Sequence, residues 1–145
     1  EFAKPFDGNK VVWSPDGSKL MVGNGWDRCD LYSWMCQVLT NLKTLDQSSQ
    51  FAWMPDSKSY LYVKTLNDKE CKVCLGNTAD VDEKILVDNL ESVRSGIEVD
   101  RKDFRFFIFA TFKGDPYSTL VEYDLNTFSQ KLLGSGFNDV HVLSR

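Results

Sequence analysis

Residues 11–22 read VVWSPDGSKLMV, and residues 51–63 read FAWMPDSKSYLYV. In both stretches a short apolar run ending in Trp meets a Pro-Asp pair, and a second apolar run follows. The ring of Pro15 fixes φ near −65°, which suits the second position of a type I turn, and Asp16 suits the third. Gly17 can take the positive φ that closes a hairpin with a bulge. Val11-Val12-Trp13 and Leu20-Met21-Val22 are therefore the arms of a β-hairpin, and Ser14-Pro15-Asp16-Gly17 is its joint. In the second copy Phe51-Ala52-Trp53 and Tyr60-Leu61-Tyr62-Val63 are the arms. Ser57 stands where the glycine was, and one more polar residue is expected to extend this loop.

A weaker third copy runs Gly96-Ile97-Glu98-Val99, then Asp100-Arg101-Lys102-Asp103, then Phe106-Phe107-Ile108-Phe109. A fourth start, Val140-His141-Val142-Leu143-Ser144, matches Lys10-Val11-Val12-Trp13-Ser14. Anchored on Trp13, Trp53, Val99 and Leu143, the steps are 40, 46 and 44 residues. A period of about 40–50 residues made only of strands and turns is the signature of propeller blades. The rest of each unit fits. Asp30 to Trp34 and Val38 to Thr40 supply a third and fourth strand in the first unit. Cys71 to Leu75 and Lys84 to Val87 do so in the second, and Thr119 to Asp124 and Gln130 to Leu133 in the third. Helical spacing over residues 81–90 gives way to the repeat register, which favours a strand.

The WSPDGSKL and WMPDSKSYLYV stretches resemble the PD40 repeats, a WD40-like family found in the propellers of TolB and of prolyl oligopeptidases and dipeptidyl peptidases. The resemblance is at the level of the repeat, so it speaks for fold more than for function. The fold class expected is all-β: three four-stranded antiparallel blades at approximately 9–46, 47–92 and 93–138, with an extra strand at 139–145. The whole chain, 1–145, is read as one propeller portion.

Known propellers have about four to eight blades. Three blades therefore imply either part of a larger propeller or half of an oligomeric ring. In the second case the strand near residues 140–144 would pair into a partner's blade, and two copies would close a six-bladed ring.

The 145 residues are 42% hydrophobic and 26% charged, with a net charge of −4. This is a globular composition. The acidic balance argues against nucleic acid as a partner, which calls for a basic face. No apolar run approaches the ~20 residues of a membrane-spanning helix, so membrane insertion is not expected. The resemblance slightly favours a periplasmic or secreted location.

Four cysteines raise a zinc reading, since Cys71-Lys72-Val73-Cys74 has CxxC spacing. On a strand, however, positions i and i+3 point to opposite faces. Cys29 and Cys36 flank a strand that would hold them up to ~23 Å apart at ~3.3 Å per residue. Four ordinary thiols, or a disulfide between neighbouring blades, fit better, and no metal is expected. His141 is the one imidazole, falls on a repeated strand position, and has no G-x-S-x-G partner. Gly134-Ser135-Gly136 is too short to be one. Asp80/Asp82/Glu83 and Asp100/Asp103 read as solvated turn residues. No catalytic residue and no cofactor are expected.

The candidate recognition residues lie on the loops between second and third strands, where rigid scaffolds display contacts. They are Trp26, Asp27 and Arg28 in Gly23-Asn24-Gly25-Trp26-Asp27-Arg28, and Tyr117 in the equivalent loop of the third unit. Trp and Arg are frequent interface anchors. Trp13 and Trp53 occupy matching strand positions and are expected in the core. The functional expectation is a non-catalytic scaffold that binds a protein or peptide. The alternative, implied by the resemblance, is a substrate-gating propeller segment of a prolyl-oligopeptidase-type or dipeptidyl-peptidase-type serine hydrolase whose catalytic domain is absent from this chain.

Overall fold

Both Pro-Asp turns close on a residue of positive φ, Gly17 at 76° and Ser57 at 58°. The N–H of each donates to the carbonyl three residues back, Ser14 at 2.9 Å and Met54 at 3.1 Å. The Asp16 carboxylate accepts from the N–H of Ser18 at 2.9 Å, and Asp56 from those of Lys58 and Ser59 at 2.9 and 2.8 Å. These are the local bonds that make Asp a turn former. Trp13 faces Leu20 and Trp53 faces Tyr60, so the two loops have equal length. The extra residue expected in the second loop is not there. Ser57 adopts the left-handed conformation itself, at a cost of about 1–2 kcal/mol, and the loop needs no further residue.

The computed structural model of the chain describes residues 10–23, 28–79 and 82–135. The described residues form strands and turns without a helix. The first sheet is a meander of β1 (Lys10–Trp13), β2 (Lys19–Gly23), β3 (Arg28–Met35) and β4 (Val38–Asp46), each antiparallel to the next. The second sheet runs β5 (Ser48–Trp53), β6 (Ser59–Asn67), β7 (Glu70–Asn77), β8 (Glu83–Asp100), β9 (Arg105–Phe112), β10 (Thr119–Asp124) and β11 (Ser129–Ser135), in chain order.

Strand β8 is 18 residues long and serves twice. Its first half pairs with β7, from Glu83 opposite Gly76 to Leu90 opposite Cys71, and its second half pairs with β9, down to Asp100 opposite Arg105. Register shifts at Leu90/Ser92 and Arg94/Ile97, and a φ of 80° at Gly96, mark the change of partner. The two sheets therefore hold three four-stranded units: β1–β4, then β5 to the first half of β8, then the second half of β8 to β11.

The units share one further bond. A residue at the close of the third strand, the last but one in β3 and the one just after β7 and β10, donates its N–H to the carbonyl of the residue before the second. Trp34 bonds Ser18 at 2.7 Å, Thr78 bonds Lys58 at 2.9 Å and Leu125 bonds Phe104 at 3.0 Å. In the third unit Val99 again faces Phe106 across a seven-residue step, but the positive φ moves to Phe104, at 53°.

Each unit buries one face of its sheet against the next. In β6 the alternation of a strand sends Tyr60 and Tyr62 towards the first unit, where they and Trp53 of their own sheet meet Met21 and Leu31. Leu61 and Val63 point the other way, into a larger cluster with Val73, Phe106, Ile108 and Val121. Polar groups stitch the seams. Trp53 Nε1 donates to Val12 O at 3.0 Å, and Gln50 Nε2 donates to Val93 O at 2.8 Å.

Trp13 departs from expectation. Trp53 is 4% exposed, whereas Trp13, at the matching position, is 49% exposed. The first unit covers Trp53, and among the described residues no unit lies on the corresponding side of Trp13. The expected strand at 139–145 lies outside the described residues.

Candidate functional site

The meander sorts the connections onto two rims. The β6–β7 and β9–β10 loops lie on one rim, together with the end of β2, the start of β3 and the crossovers from unit to unit. Gln47 and Asn89 make those crossovers with φ of 62° and 60°. On this rim Lys113 of the β9–β10 loop pairs with Glu70 at the start of β7, at 3.1 Å, and its N–H donates to Asn89 O at 3.0 Å. The pairing holds the Glu70 carboxyl below the usual carboxylate range. The loops of two adjacent units are thus held in a fixed relation, and Tyr117 stands between β9 and β10 with 66% of its surface exposed. Arg28 is exposed at the start of β3, with its guanidinium 3.4 Å from Asp30, which also accepts from Thr44 Oγ1 at 2.7 Å. Trp26 and Asp27 lie outside the described residues. Of the four candidates, the structure thus places Arg28 and Tyr117.

On the opposite rim the turns carry ion pairs. Arg105 meets Asp100, Asp103 and Glu122 at 3.0, 3.4 and 3.3 Å. The guanidinium holds the Asp100 carboxyl below its ordinary range. Asp103 is thus a turn residue and Asp100 the last residue of β8, largely buried rather than solvated as expected, and both are committed to one arginine.

Between the first two units lies a cleft of about 190 Å³, lined by Lys43, Leu45, Tyr60, Tyr62, Asp82 and Glu83 among others. Lys43 Nζ bridges the units, donating to Tyr60 Oη and Asn77 O, both at 2.9 Å. Glu83 accepts from Tyr62 Oη and from Lys64 Nζ, the latter at 2.8 Å. Partial burial would raise the Glu83 carboxyl, but the Lys64 and Tyr62 bonds outweigh it and hold the group below the usual range. Burial, and then the Glu83 bond, push the Tyr62 phenol well above its ordinary value. No sequence motif announced the Tyr62–Glu83–Lys64 network, because its members come from two strands, β6 and β8, that are brought together only by pairing with β7 between them.

The cysteines separate as strand geometry requires. Cys71 lies in the cluster facing the third unit and Cys74 in the one facing the first. They share no face on which to hold an ion. Cys29, Cys71 and Cys74 are buried free thiols and Cys36 is an exposed one. Burial pushes the Cys29 thiol up to about 12 and those of Cys71 and Cys74 to about 11. A thiol so shifted is a poor nucleophile at neutral pH. His141 and Asp80 lie outside the described residues.

The arrangement matches solved propellers. TolB from Acinetobacter baumannii superposes with a TM-score of 0.64 at 15% identity, over 91% of this chain and 34% of that one. These units are propeller blades. Puromycin hydrolase gives 0.64 at 15% identity over 86% of this chain, and a prolyl endopeptidase gives 0.65 at 13% over 89%. This chain spans 20% and 22% of those two chains. No protein-family model and no curated protein sequence matches it. Likeness at such identity establishes the fold, and the blades resemble the TolB and prolyl-peptidase propellers in that sense.

Proposed function

We propose that this chain is a non-catalytic part of a propeller platform that recognises a protein or peptide on the rim of the β6–β7 and β9–β10 loops and the start of β3. The observation that carries this reading is Tyr117. It is a large, amphipathic side chain held out from a rim that the Lys113–Glu70 pair ties across two blades. A rigid aromatic on a fixed frame offers contact area at little conformational cost. Among the described residues, the charged groups named above are engaged with one another rather than arrayed around a nucleophile. Arg28, exposed at the start of β3, extends the proposed surface onto the first blade, and Trp26 and Asp27 are proposed with it from their place in the sequence alone.

The test is selection of a random linear peptide library on the chain, followed by binding to variants. Selected peptides are expected to lose about tenfold or more in affinity on Tyr117→Ala and to be indifferent to Lys58→Ala on the opposite rim. Peptides indifferent to Tyr117→Ala, or no enrichment over bare resin, would refute the reading.

A second reading rests on the likeness to puromycin hydrolase and prolyl endopeptidase, of whose chains this one spans about a fifth. Here the blades are a gating segment attached to a serine hydrolase. A parent gene that continues into an α/β-hydrolase segment with a G-x-S-x-G elbow supports it, and a parent made only of blades removes it.

A further inference from the structure

The three blades share a register, and at one place in it they differ. Opposite the start of the second strand stands Tyr32 in blade 1, facing Leu20, and Tyr123 in blade 3, facing Phe106. Blade 2 has Gly76 there, facing Tyr60. In blade 3 the two rings stack, with centroids 5.1 Å apart and planes at 19°, and both are buried in the seam with blade 2. In blade 2 the glycine brings no ring. Tyr60 leans over Gly76 instead, so that a Cβ would lie 2.6 Å from its ring. Beside it, in the seam with blade 1, opens the cleft of about 190 Å³ that Gly76 helps to line.

The lining suits a ring. Tyr60 and Tyr62 make an aromatic wall, and Leu45 of β4, packed on the same cluster, makes an aliphatic one. Polar groups stand among them. Lys43 Nζ lies 5.5 Å from the Tyr60 centroid and is held by Tyr60 Oη and Asn77 O. The Glu83 carboxylate is held by Tyr62 and Lys64, with 33% of its side chain exposed. An ionised carboxylate has about four acceptor positions, so these two bonds leave it able to accept more. For size, an apolar cavity of about 150 Å³ holds a benzene molecule.

We propose that this cleft binds a single aromatic ring carrying a hydroxyl, a phenol in chemical class. The ring takes the part in the seam of blades 1 and 2 that Tyr123 takes in the seam of blades 2 and 3. It lies against Tyr60, Tyr62 and Leu45 in the offset or edge-on contacts that aromatic groups prefer, and its hydroxyl donates to Glu83. The residues that hold it all come from blades 1 and 2, so the site is complete within the seam they share. It has no residue in common with the rim of Tyr117, and the two readings fail separately.

The experiment is titration of p-cresol into the isotope-labelled chain, followed by backbone amide shifts. Saturable shifts are expected at Gly76 and Leu45, with Tyr117 unmoved. Toluene, which has the same shape without the hydroxyl, is expected to bind about threefold more weakly or worse. Tyr60→Phe together with Gly76→Tyr installs the blade 3 pair in blade 2 and is expected to abolish binding, with circular dichroism checking the fold. Glu83→Ala, at the exposed edge, gives a second reading: it should bring p-cresol down to the level of toluene. N-acetyl-tyrosinamide separates the sources of the ring. Shifts at Gly76 with both compounds assign it to a tyrosine of a partner peptide, and shifts with p-cresol alone assign it to a free phenol. The absence of saturable shifts at Gly76 with p-cresol overturns the proposal. So does equal binding of p-cresol and toluene, unchanged p-cresol affinity in Glu83→Ala, or binding retained by the folded double variant.

Discussion

The indole N–H of Trp53 donates to the backbone carbonyl of Val12 at 3.0 Å, across the seam between the first two blades. The Trp53 ring also meets Tyr60 edge-on, with centroids 6.0 Å apart. The tryptophan thus fills the seam and fixes the height of one inner strand against the next. Trp53→Phe keeps most of the apolar area and strands a carbonyl. It is expected to cost about 1–2 kcal/mol, read as a lower urea midpoint with an unchanged slope. An unaltered midpoint would mean that the bond contributes nothing to holding the blades.

Gly76 lies beneath the Tyr60 ring. A Cβ there would come within 2.6 Å of the ring carbons, and the Tyr60 hydroxyl is held by Lys43. Gly76→Ala is expected to destabilise by about 1–3 kcal/mol, the usual range for overpacking. Thermal unfolding checks it. A variant as stable as the wild type would show that Tyr60 can move aside.

The Glu83 carboxyl is held below its ordinary value in the fold. A depressed carboxyl stabilises the folded state fully above its unfolded value of about 4.3, and that stabilisation is lost as the pH falls through the lower folded value. The urea midpoint is therefore expected to fall on acidification below about pH 4. Glu83→Gln should flatten the dependence in that window, and an equal slope in wild type and variant would refute the assignment.

Three of the four thiols are buried and shifted upward, and Cys36 is exposed in the β3–β4 turn. Brief iodoacetamide treatment of the folded chain at neutral pH should add one group, at Cys36. The same treatment in denaturant should add four. Modification of Cys29 or Cys74 under native conditions would show that the seam between blades 1 and 2 opens.

Local chemistry made the hairpins legible. Pro, Asp and a residue able to take positive φ mark each of the first two joints, and the apolar runs on either side are long enough to name the arms. The third unit was legible through order alone, because Asp100 and Arg105 pair across a turn that has neither Pro nor Gly. Trp13 was misplaced because a repeat register reports which face a side chain takes, while exposure depends on what lies against that face. The Tyr62–Glu83–Lys64 network was not legible either. Its partners are 21 and 19 residues apart in the chain, and only the pairing of β6, β7 and β8 brings them together. On the rim, sequence placed Tyr117 on the β9–β10 loop, but the Lys113–Glu70 pair that steadies this loop spans 43 positions and left no local trace.

The double duty of β8 sets an order for mechanical failure. Blades 2 and 3 share the continuous strand β8, whereas the backbone link from blade 1 to them is the single residue Gln47 between β4 and β5, and the rest of that seam is side-chain contact. Under tension along the chain, blade 1 would part first, once the aromatic seam gives way, and the remaining pair would yield together in a single larger rupture.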